Sequence, residues 1–334
     1  MKSPNFLLKR IACSVLALTT TGLAFVAAPT LAANDYPSKQ VRVVVPFPPG
    51  GNTDYVARLI TDKMSQDLGQ TLVVENKGGA GGNIGTEHVV RSKPDGYSLL
   101  ASTLSTYALN AGLYKNLSFD ARNDLEPIGL SILVPLVLVV PADLPVDNLQ
   151  DFIKLLKENP GKYNYGSAGN GTSSHIAAYL FSKMTGTDIA HIPYRGTGPV
   201  MTDLLAGRLT FVLDAPSIVA PHIESGQLKP LAVALPERLK TLPNVPTMEE
   251  AGLPGYEAYS WNAMWAPKGT PADALDKLHT SLAKTMADKE LSSQLEKAGL
   301  VTYPPMTRDE VKQYMQDQYN KWVPLVKESG VQVE

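Results

Sequence analysis

The sequence predicts an α/β protein of two lobes, the second inserted into the first. Three observations lead there. Strand-length apolar runs alternate with helical periodicity along nearly the whole chain. The alternation breaks at the almost continuously apolar stretch Glu126 to Val140 and then restarts. A second extended stretch, Tyr259 to Ala266, leads into two closing helices and would return the chain to the first lobe.

The elements follow in order. Val41–Val45 reads as a strand, and Val56, Ile60, Met64 and Leu68 stand at helical spacing with Gly69 as a stop. Thr71–Glu75 is a second strand, followed by a glycine loop and a helix through Arg91. Tyr97–Ala101 is a third, and the polar turn Ser102 to Thr106 leads into another helix. This βαβαβ order predicts a parallel sheet with helices on both faces. Pro135 divides the run from Glu126 to Val140 into two extended pieces, a crossover between lobes. Beyond it, Asp147 is expected to cap a helix with Leu149, Phe152, Ile153 and Leu156 inward. Tyr163 to Ser167 is a strand, and Ser173–Thr185 a helix ended by Gly186. Ala190–Tyr194, Thr210–Asp214 and Leu231–Ala234 are strands, with helices at Pro199–Ala206 and Pro216–Ser225. Thr247 and Glu250 have capping-box spacing. The closing helices begin at Thr270-Pro271 and Thr307, with Leu275, Leu278, Leu282, Val311, Tyr314, Met315 and Trp322 inward. Trp261 and Trp265 are expected to pack at the hinge. Lobe boundaries follow: 34–133 with 259–334, and 134–258.

The first 33 residues have the pattern of a secretory signal. Lys2, Lys9 and Arg10 form the positive region, Ile11 to Ala28 the apolar one, and Thr30 to Ala33 a small-residue cleavage site. An uncleaved anchor is the alternative, but Thr19 to Gly22 and Pro29 interrupt the span. The expected mature protein is therefore soluble and periplasmic. Cys13, the one cysteine, lies in the signal with no lipobox before it, so neither a lipid anchor, a disulfide nor a thiolate site is expected. Removing the three signal cations leaves 27 basic residues against 32 acidic ones, a net charge of −5. That balance argues against nucleic acid and anionic membrane as partners. Any anion pocket must be built locally.

The most informative segment is Pro46-Phe47-Pro48-Pro49-Gly50-Gly51-Asn52-Thr53-Asp54. A strand, a glycine turn and a helix start bring unpaired backbone N–H groups to a ligand. The turn holds no lysine, so it lacks the Walker pattern and suits a small carboxylate better than a polyphosphate. The bland reading is an ordinary turn capped by Asp54. Gly166 to His175 is the second-lobe counterpart, with Thr172, Ser173 and Ser174 hydroxyls and the His175 imidazole beside flexible glycines.

Sharper chemistries fail on spacing. The loop Gly78 to Gly85 has Ile84 where a dinucleotide fingerprint needs glycine. No nucleophile elbow surrounds Ser173, and adjacent Ser174 and His175 point apart on a helix, which disfavours a hydrolase. His88, His175, His191, His222 and His279 are scattered without metal-ligand spacing. No metal and no cofactor are expected. Arg195, at the strand-to-helix turn Pro193 to Pro199, faces either a cleft or the surface. Asp214 either caps the helix after Pro216 or lies in the cleft.

With these residues in view, the chain closely resembles the periplasmic substrate-binding proteins of tripartite tricarboxylate transporters, the Bug family. The resemblance runs essentially end to end. It covers Tyr36-Pro37 to Arg58, Asn76 to Gly85, Lys93 to Tyr97, Gly166 to His175, Pro193 to Gly196, Pro221 to Gly226 and Ala266 to Pro271. It implies a type II periplasmic-binding fold, each lobe a mostly parallel sheet flanked by helices, with two crossing strands as hinge. It implies a receptor, not an enzyme, that holds a small carboxylate through backbone donors and ordered water. The class spans aromatic acids, di- and tricarboxylates and amino acids. The site residues expected are Phe47, Pro48, Gly50, Gly51 and Asp54, then Ser102, Ser105 and Thr106. Across the cleft they are Ser167, Gly169, Thr172, Ser173, Ser174 and His175, with Arg195 and Asp214. The implied partners are membrane transporter subunits, with the receptor acting as a monomer. The alternative is a sensory receptor that signals to a membrane kinase.

Overall fold

The computed structural model describes residues 36–333; the expected signal segment and Cys13 lie outside them. The first half runs β1 (Val41–Val45), α1 (Asn52–Leu68), β2 (Leu72–Asn76), α2 (Asn83–Val90), β3 (Ser98–Thr103), α3 (Asn110–Leu113), α4 (Ala121–Asp124), β4 (Leu125–Pro135) and β5 (Val137–Pro141). A π-type turn, Ser105–Leu109, joins β3 to α3. There follow α5 (Leu149–Glu158), β6 (Asn164–Ser167), α6 (Ser173–Thr185), β7 (Ala190–Pro193), α7 (Thr197–Leu205), β8 (Val212–Asp214), α8 (Pro216–Glu224) and β9 (Leu228–Val233). The chain ends with β10 (Tyr259–Pro267), α9 (Ala272–Met286), α10 (Lys289–Lys297), β11 (Val301–Thr302) and α11 (Arg308–Glu328).

Six strands form one sheet in the order β11-β4-β10-β3-β1-β2. A second sheet has the order β8-β5-β9, and the parallel pair β6-β7 meets it through a backbone bridge between Tyr165 and Phe211. The apolar run that Pro135 divides passes from one sheet to the other. β4 belongs to the six-stranded sheet, β5 to the three-stranded one, and only Leu136 lies between them. The return is just as tight: Tyr259 at the head of β10 pairs with Pro135 at the end of β4.

The sheets are mixed rather than mostly parallel. β1 runs parallel to β2 and β3, as the βαβαβ pattern predicts. β10 is antiparallel to both β3 and β4, and β5 to both β8 and β9. A chain that leaves a sheet along one strand and returns along its neighbour must run in opposite directions on the two.

Helix α1 shows how the periodicity becomes packing. Val56, Ile60 and Met64 are buried against Val43, Val45 and Leu99, together with Leu275 and Leu278 of α9. Each such side chain contributes roughly 1.5–3 kcal/mol. The opposite face of the sheet is covered by α11, where Trp322 and Met315 pack with Trp261, Trp265 and Tyr107. Thr307 and Glu310 form the expected capping box at the start of α11.

Local details differ from expectation. Asn148, one residue after Asp147, caps α5 by accepting from the Asp151 N–H. Thr247 and Glu250 exchange their reciprocal bonds, at 3.1 and 2.8 Å, but only a turn follows. Thr270 does not cap α9; its hydroxyl donates to the Pro267 carbonyl. The periodicity also passed over α10 and the two-residue strand β11.

Candidate ligand site

The parallel strands β1, β2 and β3 end at one edge of the sheet, where open α/β sheets place their ligand loops. The first loop is organised by Asp54, the third residue of α1. Its carboxylate is 4% exposed and accepts from the Gly50 N–H (2.9 Å), Asn76 Nδ2 (2.8 Å) and Arg58 Nε (3.1 Å). Arg58 Nη2 completes a two-pronged ion pair at 2.9 Å. Asn76 also donates to the Phe47 carbonyl, so both ends of the loop are tied to the tip of β2. Burial alone would raise the Asp54 pKa, but the bonds from Arg58, Gly50 and Asn76 outweigh it and hold it at about 2. Asp54 is therefore not the N-cap of α1. Gly51 holds that position, and Asp54 reaches back past it to Gly50. The Gly50 N–H is occupied, whereas the N–H groups of Asn52, Thr53 and Asp54 precede the first helical bond, Tyr55 N–H to Gly51 carbonyl. Phe47 is half-buried, and Pro48, Gly50 and Gly51 are exposed.

Three loops converge on this edge. Gly82, with φ +94°, leaves no room for a side chain: a Cβ there would lie 2.5 Å from Thr106 Cγ2 and 3.4 Å from the Phe47 ring. The second glycine loop is thus a close-packed support, as its failed fingerprint suggested. Asn110 holds it in place by donating to the Gly81 carbonyl (3.0 Å) and to Asn83 Oδ1 (2.7 Å). Ser102 and Thr106 are buried and hydrogen-bonded to each other, and Thr106 also donates to the Thr103 carbonyl. Their hydroxyls are spent shaping the third loop, while Ser105 is half-buried at its start.

The second sheet contributes the turn between β6 and α6. Ser167 Oγ donates to the Gly169 carbonyl, accepts from the Gly169 N–H and meets His191 Nε2 at 2.7 Å. Ser174 Oγ accepts from the Ala168 N–H, and Thr172 Oγ1 donates to the Gly169 carbonyl (2.8 Å). His175 is taken up inside the turn. It is 2% exposed, and its Nδ1 accepts from the Gly171 N–H (3.0 Å) inside the turn. Its ring stacks on His191 with centroids 3.8 Å apart and planes 7° apart. Burial, then the neighbouring His191, pushes the His175 pKa down to about 3; burial pushes His191 down to about 4. The pair is neutral at neutral pH and offers an anion no charge. Gly171, with φ +72°, seats the turn against the first sheet's helices: a Cβ there would lie 1.9 Å from Leu113 Cδ1. The segment from Ser105 to Leu113 thus touches both loop systems. Thr106 meets Gly82 beside Phe47, and Leu113 meets Gly171.

The two remaining candidates lie apart in character. Arg195 is exposed, and among the described residues it forms no salt bridge. The flanking backbone ties it to the β6–α6 turn, with the Gly196 N–H donating to the Ala168 carbonyl (3.0 Å). Asp214 ends β8 and is buried. It does not cap α8, whose N-cap is Ala215, but accepts from the Ala215 N–H (2.8 Å). Burial raises its pKa to about 6 against the opposing pull of that N–H.

Sequence reasoning missed Arg58, Asn76 and His191. Arg58 was within reach, because it follows Asp54 by four residues on a helix. Asn76 and His191 required knowing which strand ends meet. Among the described residues, no group of three His, Cys, Asp or Glu is placed to hold a metal, and no helix is long and apolar enough to cross a membrane.

Comparison with known proteins places this geometry. The periplasmic binding protein BugD is 38% identical, with a TM-score of 0.76 over 89% of this chain and 100% of that one. An R. palustris protein solved with adipate is 33% identical, with a TM-score of 0.79 over 90% and 100%. MatC from Rhodopseudomonas palustris, solved with bound malate, is 31% identical, with a TM-score of 0.75 over 87% and 100%. The architecture is the periplasmic-binding-protein fold, shared with BugD. The model of the tripartite tricarboxylate transporter family receptor matches residues 56–331, and the chain belongs to that family.

Proposed function

We propose that this protein is exported, loses its first 33 residues, and captures a small carboxylate in the periplasm between two lobes, 34–133 with 259–334 and 134–258. Membership of the family supports delivery to the membrane subunits of a tripartite tricarboxylate transporter. The observation that carries the reading is the pair of turn-to-helix starts, at Gly50–Asp54 and Gly169–Ser173, gathered around the Ser105–Leu113 segment. Each presents unpaired N–H groups with the positive end of a helix dipole behind them. Phe47, Pro48, Gly50, Gly51, Ser105, Gly169, Thr172 and Ser173 face the ligand, and Arg195 offers a cation at the rim. Asp54, Ser102, Thr106, Ser167, Ser174 and His175 hold the loops in shape, and Asp214 lies behind them.

Two opposed donor sites favour an acid with a polar far end. The adipate and malate of two neighbours, both dicarboxylates, support that choice. Nothing in the comparisons supports a kinase partner, and none is proposed. The test is competitive titration of the mature protein with a length series of dicarboxylates, each beside its methyl ester and primary amide. Acids should bind far more tightly, because an amide turns its own N–H toward buried donors at about 1–3 kcal/mol per unpaired group. Equal affinity for acid and amide would overturn the anion site, and a sugar or cation as best ligand would overturn the function.

A further inference from the structure

Asn262 is among the buried polar side chains that the carboxylate reading leaves unused. Asn262 stands in β10, where the strand pairs with Thr103 of β3 on one side and Ile132 of β4 on the other. Along β10, Trp261, Ala263 and Trp265 face one core and Met264 and Ala266 the other. Alternation puts Asn262 with the second set, under α1. It is 4% exposed, and its Nδ2 has no hydrogen-bond partner among the described residues. A bulge lies beside it: Asn262 opposes Ile132 and Ala263 opposes Leu130, so Ser131 is skipped and its hydroxyl donates to the Asn262 carbonyl (3.0 Å). Bulges next to sites re-aim side chains.

Asn262 and Ser131 line a cavity of about 10 Å3 whose roof is the first turns of α1, beginning at Thr53. That volume admits one water molecule, and a water needs two to four polar partners. Asn262, Ser131 and Thr53 supply a donor amide and two hydroxyls around it; Thr61 also lines the cavity but its hydroxyl donates to the Arg58 carbonyl (3.1 Å), and the other lining residues, such as Val56, Ala101 and Met264, are apolar. An unpaired amide N–H in that setting is costly, and a water relieves the cost.

We propose that Asn262 holds a single buried water beneath the start of α1, and that this water ties the sheet to Thr53 and so positions the Gly50–Asp54 loop. Asn262 is then a positioning residue for the donor loop, set on a central strand of the six-stranded sheet. The idea concerns the loop itself and stands apart from the identity of the ligand.

The test needs no ligand. A high-resolution crystal structure of the mature protein should show density in the cavity within hydrogen-bond distance of Asn262. Asn262→Leu, close in size and without a donor, should exclude the water and speed hydrogen exchange of the segment 46–60 by about fivefold or more. Thr53→Val should do the same, Thr53→Ser should not, and Asn262→Leu with Thr53→Val should add nothing to either alone. An empty cavity overturns the proposal. So does unchanged exchange in Thr53→Val, which also decides the matter if Asn262→Leu does not fold.

Discussion

Replacing Asp54 with alanine separates holding the loop from holding the protein together. The substitution removes the acceptor for the Gly50 N–H and one end of the Arg58 ion pair. Arg58 is half exposed and keeps Asn76 Oδ1, and Asn76 keeps the Phe47 carbonyl, so neither is stranded. The charge-assisted bond from Gly50 is worth about 1.5–3 kcal/mol and the partly exposed ion pair less than about 1 kcal/mol. The total, about 2–3 kcal/mol, lowers the melting temperature by roughly 4–8 °C in a chain of this size. Affinity should fall further in proportion, because Gly50 adjoins the N–H groups of the helix start. At least a tenfold weaker dissociation constant for adipate as probe, about 1.4 kcal/mol, is expected by calorimetric titration. The pH dependence checks the cause. A carboxylate whose folded pKa is held near 2 stabilises fully above its unfolded value near 4, and that contribution is lost as pH falls through 2. The difference in melting temperature between wild type and Asp54→Ala should therefore close between pH 4 and 2. A constant difference, or a lowered melting temperature with unchanged affinity, refutes the reasoning.

Three further outcomes are expected. His175 and His191 are held neutral, with folded pKa values below the unfolded value near 6.5, so stability is full above pH 6.5 and falls as pH drops toward 4 and 3. His175 contributes about 1.4 kcal/mol per pH unit, and His175→Gln should flatten that slope in thermal melts; an unaltered slope would count against the stack as its source. Asp214 behaves oppositely: its raised pKa adds a penalty that grows from pH 4 to 6 and then stays, on the order of 3 kcal/mol. Asp214→Asn should accordingly melt higher than wild type at pH 7.5, with the gain vanishing by pH 4. Finally, saturating dicarboxylate should reduce the radius of gyration in small-angle scattering as the lobes close about Leu136 and Glu257–Trp261; no change at proven saturation, starting from an open form, argues against a hinge there.

Much of this was legible in one dimension because it depends on local periods and turn chemistry. The strand at Val41–Val45, the buried stripe of α1, the capping box at Thr307 and the stop at Gly186 all follow from spacing within a few residues. So does the passage between sheets at Pro135, because an apolar run too long for one strand carries its own break. The donor loop was readable for the same reason: Gly50, Gly51 and a helix start are neighbours in sequence as well as in space.

Which polar side chains are exposed at the turns and which hold the loops was decided only by tertiary contact. Ser102, Thr106 and His175 are polar residues in polar turns, indistinguishable by composition from Ser105, yet they are buried and hydrogen-bonded within the protein; Thr172, half-buried, also gives its hydroxyl to the Gly169 carbonyl. Asn76, which bonds Asp54, and His191, which bonds Ser167, sit 22 and 24 residues away, in β2 and β7. The sequence by itself determined the elements, their order and the chemistry each turn can offer, because propensity and periodicity act between near neighbours. The packing of strand ends decided the rest. A hydroxyl or imidazole binds a ligand only where no backbone group or second side chain has already claimed it, and that depends on segments far apart in the chain.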